Sequence, residues 1–481
     1  MLALCIKVLV LISLVIIYYI FIYLLFSRKV AIIVETNGFL GYNQYMLTIL
    51  SKVREYKDVE NRFHTPSHSS VPLDELYSNA KYDITELSFS DNLLYANSVL
   101  LDLEKQLQKV YNSARTLVVT AGATTGNFIC LNVLKRLGKV LVASGLHKSI
   151  ISAIRLFDID ATFMDDCVYP NGLPRPITKQ DIQKYLTADI KAVVLTSPTY
   201  FGNTVSTDLV KWLQSKGIVV MVDEAHGGHF AFSSLLPQSL ASIADLVVNS
   251  VHKTLPVYTG GALVHINNHS LIAQTELYHS LLHTSSPNYV TMCSIDYSQD
   301  LFSREGERLY AKLFEVVKSI TLNKFKVVQT DDFSRLVIDT YPFDAKYIQS
   351  VLEQKSVFVE MSYKHFIVLI LSPLNIEIIK NTVDIINSLE DLDSSKIYRE
   401  NTNSEKVENI KVNGKEVLVE ICDAVGRVSA SEVGIYPPGI PVIKCGDIIS
   451  NKQVEYLQQN KDRLFGTNEG KIYVFCNNEE R

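Results

Sequence analysis

The stretch from residue 115 to residue 270 alternates short apolar runs with segments whose apolar positions recur at helical spacing. Continuous apolar runs predict strands that are buried on both faces, because a strand with one solvent-exposed face alternates apolar and polar residues. The runs are TLVVTA (116–121), KVLVAS (139–144), KAVVLTSP (191–198), IVVMVDEAH (218–226), ADLVVNS (244–250) and GALVHI (261–266).

The segments between these runs predict helices from Gly126 to about Gly138, over residues 147–157 and over residues 206–217. Strands that alternate with helices predict an α/β domain, with a mostly parallel sheet of about seven strands and right-handed crossovers. In such sheets ligands bind beyond the carboxyl ends of the strands. Residues that bind a ligand or take part in catalysis are therefore expected at those ends.

The C-terminal third has a different pattern. The runs SRLVIDT, SVFVEMS and HFIVLILS predict strands, and NIEIIKNTVDIINSL (375–389) predicts a helix, which together indicate a smaller α+β domain. A polar stretch that follows predicts a linker. The predicted parts are an anchor (1–29), an N-terminal segment with the large domain (30–324), a small domain (325–392), a linker (393–409) and a C-terminal α+β domain (410–481).

The N-terminal segment VLVLISLVIIYYIFIYLLF, Val8 to Phe26, has Ser13 as its only clearly polar residue. Its length is close to the ~20 residues that cross a bilayer as a helix. Lys7 precedes it, and Arg28 and Lys29 follow, so the charge excess places the body in the cytoplasm. The sequence thus predicts a single-pass membrane protein; a targeting peptide or a misassigned start codon are the alternatives.

The amino-acid composition narrows the classes of protein that remain possible. Of 481 residues, 47% are hydrophobic and 20% charged, which is enough apolar material for a large core and argues against disorder. The net charge of −5 gives no reason to expect nucleic-acid binding. The seven cysteines form no CxxC pair, which indicates reduced thiols and neither a disulfide framework nor a metal site.

The chemically suggestive residues lie where the predicted strands end. The loop GATTGN (122–127) runs into a helix, where backbone amides and threonine hydroxyls suit a phosphate group. The ends of the other strands carry His147, Pro198 to Tyr200, Asp223 to His226, and Ser250 with His252 and Lys253. A phosphate cradle, an imidazole ring, a carboxylate and a lysine are therefore expected on one rim.

This set matches pyridoxal phosphate. A lysine amine condenses with the cofactor aldehyde as a Schiff base, which Lys253 is placed to do. A carboxylate such as Asp223 keeps the pyridine nitrogen protonated, so that the ring accepts electrons. Ser250 and His252 flank the lysine and are expected to donate to the phosphate.

Other interpretations of the same residues are weaker. DEAH at 223–226 invites a helicase interpretation, but no GxxxxGK[ST] loop occurs in the chain. His226 and His229 suggest a metal pair, but no supporting thiol or carboxylate set accompanies them, so no metal is expected. A lone lysine beside a histidine is most often a surface residue. The order and placement of all these residues together favour the cofactor site.

From about residue 60 to its C-terminus, the chain resembles the ornithine/lysine/arginine decarboxylase family in its short form, which has the fold type I of pyridoxal phosphate enzymes. The resemblance rests on FHTPSH (63–68), DITEL (83–87), AGATTGN (121–127), HKSI (147–150), TSPTYFG (196–202), VDEAHGGHF (222–230), SVHKTL (250–255), TSSPNY (284–289) and YPPGIP (436–441). Aminotransferases of this fold do not share YPPGIP, which disfavours transamination.

The resemblance implies roles for individual residues. Lys253 is the Schiff-base lysine, Asp223 the partner of the pyridine nitrogen, and His147 stacks on the ring. His226 and a residue of another subunit are candidates for the proton donor. Residues that contact the cofactor are Gly122, Ala123, Thr124, His147, Asp223, Ala225, Ser250, His252 and Lys253.

The expected reaction is decarboxylation of a basic amino acid (lysine, arginine or ornithine) to an amine and carbon dioxide. A homodimer or higher homo-oligomer is expected from the fold alone. Two departures from the family pattern stand out: Ala123 replaces a hydroxyl residue, and Gln299 replaces an arginine. They motivate an alternative, a membrane-tethered homologue with weakened catalysis that acts as a regulator or scaffold.

Overall fold

A mixed sheet of seven strands lies at the centre of the part of the chain that the structure describes. The computed structural model describes residues 47–59, 61–68, 74–398, 416–435, 440–443 and 445–476. The strands are β1 (Arg115–Val119), β2 (Lys139–Val142), β3 (Ala161–Phe163), β4 (Ile190–Thr196), β5 (Val219–Asp223), β6 (Leu246–Asn249) and β7 (Ala262–Ile266). Their order is β1-β7-β6-β5-β4-β2-β3. Every predicted apolar run overlaps one of these strands, whereas the short β3 was not predicted.

The direction of one strand was not predicted. β7 runs antiparallel to both neighbours, β1 and β6, while the remaining pairs in the sheet are parallel. Parallel neighbours need a crossover, whereas antiparallel neighbours can be joined by a short connection. Only residues 250–261 separate β6 from β7, and this connection carries Lys253.

Helices cover both faces of the sheet. They are α1 (Ile49–Tyr56), α2 (Val99–Tyr111), α3 (Gly122–Lys135), α4 (Lys148–Leu156), α5 (Lys179–Gln183), α6 (Thr207–Ser215), α7 (Ile272–Leu282) and α8 (Tyr289–Ser319). Within β4, Val193 and Leu195 enter one buried cluster, and Ala192 and Val194 enter another on the opposite face. Burial on both faces explains why the inner positions of this strand, residues 192–195, are all apolar.

Helix α3 begins earlier than the sequence indicated. It starts at Gly122, not at Gly126, so the predicted phosphate loop forms the first helical turn. Gly, Ala and Thr at positions 122–125 carry no apolar periodicity, and this is why the pattern did not mark the turn as helical.

A second sheet follows the central one. It contains β8 (Lys326–Val328), β9 (Arg335–Asp339), β10 (Met361–Tyr363) and β11 (Phe366–Ile370) in the order β10-β11-β9-β8, with antiparallel pairs throughout. Helices α9 (Ala345–Gln354) and α10 (Ile376–Asn387) accompany it. The predicted strands SRLVIDT and HFIVLILS match β9 and β11, and α10 was predicted. The run SVFVEMS overlaps β10 only at Met361 and Ser362, and the short β8 and helix α9 were missed.

The C-terminal part contains two small sheets. Strands β12 (Glu416–Glu420), β13 (Val433–Ile435), β14 (Ile440–Ile443), β15 (Leu464–Phe465), β16 (Thr467–Asn468) and β17 (Lys471–Phe475) accompany helix α11 (Asn451–Gln458). An ion pair of 2.7 Å between Arg155 and Glu416 joins this part to the end of α4. Residues 436–439 of YPPGIP, and residues 399–409 of the predicted linker, lie outside the described residues.

The membrane part of the predicted fold needs correction. The expected spanning segment, Val8–Phe26, lies outside the described residues. Among helices α1 to α11 of the described ranges, none combines the length and the apolar character that a bilayer crossing requires. The transmembrane helix and the membrane localisation predicted from the sequence are therefore not retained.

Candidate active site

Asp223 is the last residue of β5, and its carboxylate is buried, with 2% of the residue exposed. Asn127 Nδ2 donates to Asp223 Oδ2 over 3.0 Å, and the backbone N–H of Ala225 donates to Oδ1 over 3.1 Å. Asn127 lies on α3, so the helix that follows β1 orients a carboxylate on β5, three strand positions away in the sheet. Buried carboxylates require such donors.

A chain of polar contacts extends from this carboxylate to His147. Asn127 Nδ2 also donates to Ser149 Oγ over 2.9 Å, and Ser149 Oγ lies 2.8 Å from His147 Nδ1. The backbone N–H of Ser149 donates to the same ring nitrogen over 3.2 Å. Because Nδ1 accepts this bond, it carries no proton. His147, the residue before α4, is thereby fixed in orientation.

The electrostatic environment keeps the His147 ring neutral. Burial lowers the pKa of His147 to about 4, and the positive charge of Lys253 acts in the same direction. The negative charge of Asp223 opposes both effects. His147, Asp223 and Lys253 are therefore close enough to influence one another electrostatically.

Lys253 ends a short 3-10 turn, Val251–Lys253, that follows β6. Its Nζ lies 3.1 Å from His226 Nε2. Burial lowers the pKa of Lys253; the negative charges of Asp223 and Glu360 oppose this effect, and the positive charge of Arg335 adds to it. A lysine with a lowered pKa is a better nucleophile near neutral pH.

His226 lies between Lys253 and a second cation. Arg335 Nη2 approaches His226 Nδ1 at 3.3 Å and donates to the His226 carbonyl over 3.2 Å. The ring of Tyr200 lies beside the His226 ring, with 4.9 Å between centroids. Burial and then the charges of Lys253 and Arg335 lower the pKa of His226 well below its usual value.

The first turn of α3 contains Gly122, Ala123 and Thr124. Ala121, which precedes the helix, gives it no side-chain cap, so backbone N–H groups of the first turn are available to an anion. The Gly122 N–H donates to Gly260 O over 2.8 Å. A Cβ at Gly260 would lie 2.7 Å from Thr120 O, and its φ is +100°, so this close approach requires glycine.

Ser250 and His252 lie next to this turn. Ser250 is buried, and its Oγ lies 3.3 Å from His252 Nδ1. His252 Nδ1 also lies 3.0 Å from the carbonyl of Gly261. Because Gly260 holds Gly122 and Gly261 holds His252, the two predicted phosphate-binding segments meet at the Gly260–Gly261 pair.

The two histidines of HGGH have different surroundings. His226 Nε2 faces Lys253, whereas His229 Nε2 lies 3.3 Å from the buried Asp332 and 3.0 Å from Ser334 Oγ. They therefore do not converge on a common point. Within the described ranges, no cluster of three His, Cys, Asp or Glu side chains has the geometry to hold a metal ion.

Sequence reasoning missed four residues of this site: Asn127, Ser149, Arg335 and Glu360. Asn127 and Ser149 lie inside the motifs GATTGN and HKSI. The signal available for them was their place in the first turns of a helix that follows a predicted strand end. Arg335 and Glu360 come from the second sheet, where no local pattern indicates a neighbour more than 80 residues away.

The class of protein follows from the sheet and from what lies at its edge. A mostly parallel sheet with a lysine and a buried carboxylate at adjacent strand ends, beside an uncapped helix N-terminus, defines the pyridoxal phosphate enzymes of fold type I. The family model "Orn/Lys/Arg decarboxylase, major domain" matches residues 74–340, and the C-terminal domain model of the same family matches residues 393–464. The chain belongs to the Orn/Lys/Arg decarboxylase family. It is a pyridoxal phosphate-dependent amino acid carboxy-lyase by class.

Individual relatives agree with this placement. An uncharacterized protein of Bacillus subtilis (strain 168) is 29% identical over 82% of this chain and 90% of its own length. An arginine decarboxylase of Bacillus anthracis is 26% identical over 79% of this chain and 84% of its own length.

Solved structures share the fold. The lysine decarboxylase of Francisella novicida aligns with a TM-score of 0.73 at 16% identity, over 89% of this chain and 81% of its own. The constitutive lysine decarboxylase of E. coli aligns with a TM-score of 0.72 at 14% identity, over 90% of this chain and 82% of its own.

Proposed function

We propose that this protein removes the α-carboxylate of a basic amino acid (lysine, arginine or ornithine) with pyridoxal phosphate bound through Lys253. The observation that carries the proposal is the placement of a buried Asp223 carboxylate and the Lys253 amine at the ends of adjacent strands, β5 and β6. In the strand register Asp223 lies opposite Val248, and Val248 is five residues before Lys253 in the chain.

The residues present fit the cofactor. The phosphate would lie at the uncapped start of α3, held by backbone N–H groups of Ala123 and Thr124, since that of Gly122 is bound to Gly260 O, and by Ser250 and His252. Ala123 contributes only its backbone. The ring would lie between His147 and Ala225, with its nitrogen at the Asp223 carboxylate.

When bound, pyridoxal phosphate supplies a conjugated ring that accepts the electrons left by the departing carboxylate. The residues of this chain perform the remaining tasks. Asp223, fixed by Asn127 and Ala225, would present a negative charge to the ring nitrogen and favour its protonated form. His147 presents a neutral ring face that Ser149 holds in place. Lys253 supplies the amine that anchors the cofactor.

Glu360 supports a cationic substrate. It is an exposed residue immediately before β10, and its negative charge acts on the Lys253 amine. An exposed carboxylate beside the site is suited to bind the distal ammonium or guanidinium group of a basic amino acid. Curated relatives include arginine decarboxylases, and the structural neighbours include lysine decarboxylases.

We also propose that the chain assembles as a homodimer. Tyr95, Tyr258, Leu277 and Leu281 are large apolar residues with 49–70% exposure, and three of them lie on α7 or on the turn at 93–95 that packs against it. Large apolar side chains in contact with water favour a protein interface. Light scattering of the full chain at micromolar concentration measures the mass, and a monomer would contradict this assembly.

Replacement of Lys253 by alanine tests the proposed activity. The wild-type chain, loaded with pyridoxal phosphate, should show a visible absorption band and release carbon dioxide and amine from at least one of the three substrates. Lys253→Ala should lose both, because the amine that holds the cofactor is gone. Lys452→Ala, on the exposed face of α11, is the matched control and should retain both.

Two results would contradict the proposal. A wild-type chain that binds the cofactor but evolves no gas from any of the three substrates would favour a role without turnover. Formation of a keto acid without carbon dioxide would indicate transamination.

A further inference from the structure

Arg335 is a buried arginine whose guanidinium group contacts His226. It lies at the start of β9 in the second sheet, with 2% of the residue exposed. Its Nη2 lies 3.3 Å from His226 Nδ1 and 3.2 Å from the His226 carbonyl oxygen. Its Nε and Nη1 have no hydrogen-bond partner among the described residues. A buried guanidinium with so few acceptors is costly, which calls for a reason.

The donor chemistry of arginine determines where the His226 proton is. A guanidinium carries only N–H donors and no acceptor, and it does not lose its proton in proteins. His226 Nδ1, which faces Arg335 Nη2, must therefore accept. A neutral imidazole has one proton, so that proton is on Nε2. Nε2 faces Lys253 Nζ at 3.1 Å.

The same reasoning continues to Lys253. An ammonium group has three donors and no acceptor, so it cannot accept a bond from the Nε2–H of His226. The 3.1 Å contact is therefore a hydrogen bond only when Lys253 Nζ is an unprotonated amine. The tautomer of His226 and the charge state of Lys253 are fixed together.

The charges around the pair agree with this state. His226 is surrounded by Lys253, Arg335 and the rings of His147 and His229, and these groups, together with burial, are the largest influences that lower its pKa. Lys253 is influenced by Arg335 and by the carboxylates Asp223 and Glu360, with His226 and His252 beside it. A second proton on His226 would have to point from Nδ1 at the guanidinium, which the geometry forbids.

We propose that Arg335 is a positioning residue that locks His226 in its neutral, Nε2-protonated form, and that His226 in turn holds Lys253 as a free amine. This inference adds to the proposed function and rests on it, because the free amine of Lys253 serves to bind the cofactor. It also excludes His226 as the source of the proton that replaces carbon dioxide, because loss of the Nε2 proton would leave an imidazolate.

The tautomer can be measured in the wild-type chain. Nitrogen NMR of the full chain labelled with ¹⁵N-histidine, with the His226→Gln variant to assign the signal, should show a protonated Nε2 and an unprotonated Nδ1. The signals should stay constant from about pH 6 to about pH 9, across the ordinary histidine pKa of about 6.5. A protonated Nδ1, or an imidazolium anywhere in this range, would overturn the proposal.

The charge state of the lysine has its own measurement. Acylation of Lys253 in the full chain without cofactor, followed by peptide mass spectrometry across pH, reports its pKa. Arg335→Met should raise the midpoint by about one unit or more, a tenfold loss of free amine at a given pH. Arg335→Lys, which keeps a charge and a donor, should restore most of it.

The controls separate this inference from the proposed function. Arg304→Met removes a cation that pairs with Asp300 on α8 and should leave the Lys253 midpoint unchanged. Equal midpoints in wild type and Arg335→Met would refute the role of Arg335. Acylation involves no pyridoxal phosphate, so a wild-type chain that forms no visible band would reject the proposed function while this measurement still stands.

Discussion

The Asp223 carboxylate is held rigidly by Asn127 and Ala225, so a change of its charge alone can be tested. Asp223→Asn keeps the shape but removes the negative charge that a protonated ring nitrogen needs. We expect carbon dioxide release to fall by roughly 10²–10³-fold, the usual effect of removing one fixed electrostatic partner. Steady-state gas evolution at saturating cofactor measures this fall.

A second buried aspartate provides the control. Asp245 accepts from the backbone N–H of Val220 at the opposite end of the strands, away from Lys253. Asp245→Asn should change stability but leave the rate per folded molecule unchanged. Equal losses in both variants would mean that Asp223 acts only through folding.

His147 gives a prediction for pH dependence. Because burial lowers its pKa to about 4, the ring is neutral above about pH 5 and gains a proton only as the pH falls towards 4. Any step that depends on the neutral ring should therefore fail only in this acid range. The acid limb of the activity profile should lack an inflection near the ordinary value of about 6.5.

A variant without a titrating ring checks this assignment. His147→Phe keeps an aromatic face and cannot be protonated, so the acid inflection should move or disappear, although the rate also falls because Ser149 loses its ring partner. An unchanged inflection near pH 4 would assign it to another group.

At the scale of elements, helix α3 packs closely against the sheet at Gly126. A Cβ at Gly126 would lie 2.8 Å from Val248 Cγ1 on β6 and 3.2 Å from Val264 Cγ2 on β7. Gly126→Ala should lower the free energy of unfolding by about 1–3 kcal/mol, because overpacking displaces side chains or the helix. Since Asn127 follows directly, cofactor affinity should fall as well.

Urea denaturation of the cofactor-free chain measures the first effect, and titration with pyridoxal phosphate measures the second. Thr124→Ala, on the exposed side of the same helix, should change stability by only about 0.5 kcal/mol or less. Equal stability of Gly126→Ala and wild type would show that α3 can move away from the sheet without cost.

Most strands of the central sheet were predictable because burial on both faces leaves runs of consecutive apolar residues. Val193 and Val194 enter opposite clusters, and the sequence shows this as an unbroken run. The direction of β7 was not predictable, since the same run fits either orientation. The early start of α3 was also hidden, because Gly122 to Thr125 carry no apolar period.

At the scale of the whole molecule, the candidate site combines two sheets that the chain places far apart in sequence. The large sheet supplies Asp223 and Lys253, which local patterns indicated, because both follow apolar strands. The second sheet supplies Arg335 and Glu360, whose positions depend on how β9 and β10 pack against the site. No periodicity encodes that packing, so sequence reasoning could not find them.

The contribution of Glu360 makes substrate choice testable. Glu360→Gln removes the carboxylate suited to the distal cation of the substrate while it keeps the size of the side chain. The KM for the preferred basic amino acid should rise by roughly tenfold or more, equivalent to about 1.4 kcal/mol or more, since hydrogen bonds to charged groups contribute about 1.5–3 kcal/mol. Amine production from lysine, arginine and ornithine, with wild type and variant side by side, measures both preference and loss. Glu353→Gln, an exposed glutamate on α9, is the matched control and should leave KM unchanged. A Glu360→Gln variant with the wild-type KM for all three substrates would show that the distal charge is recognised elsewhere.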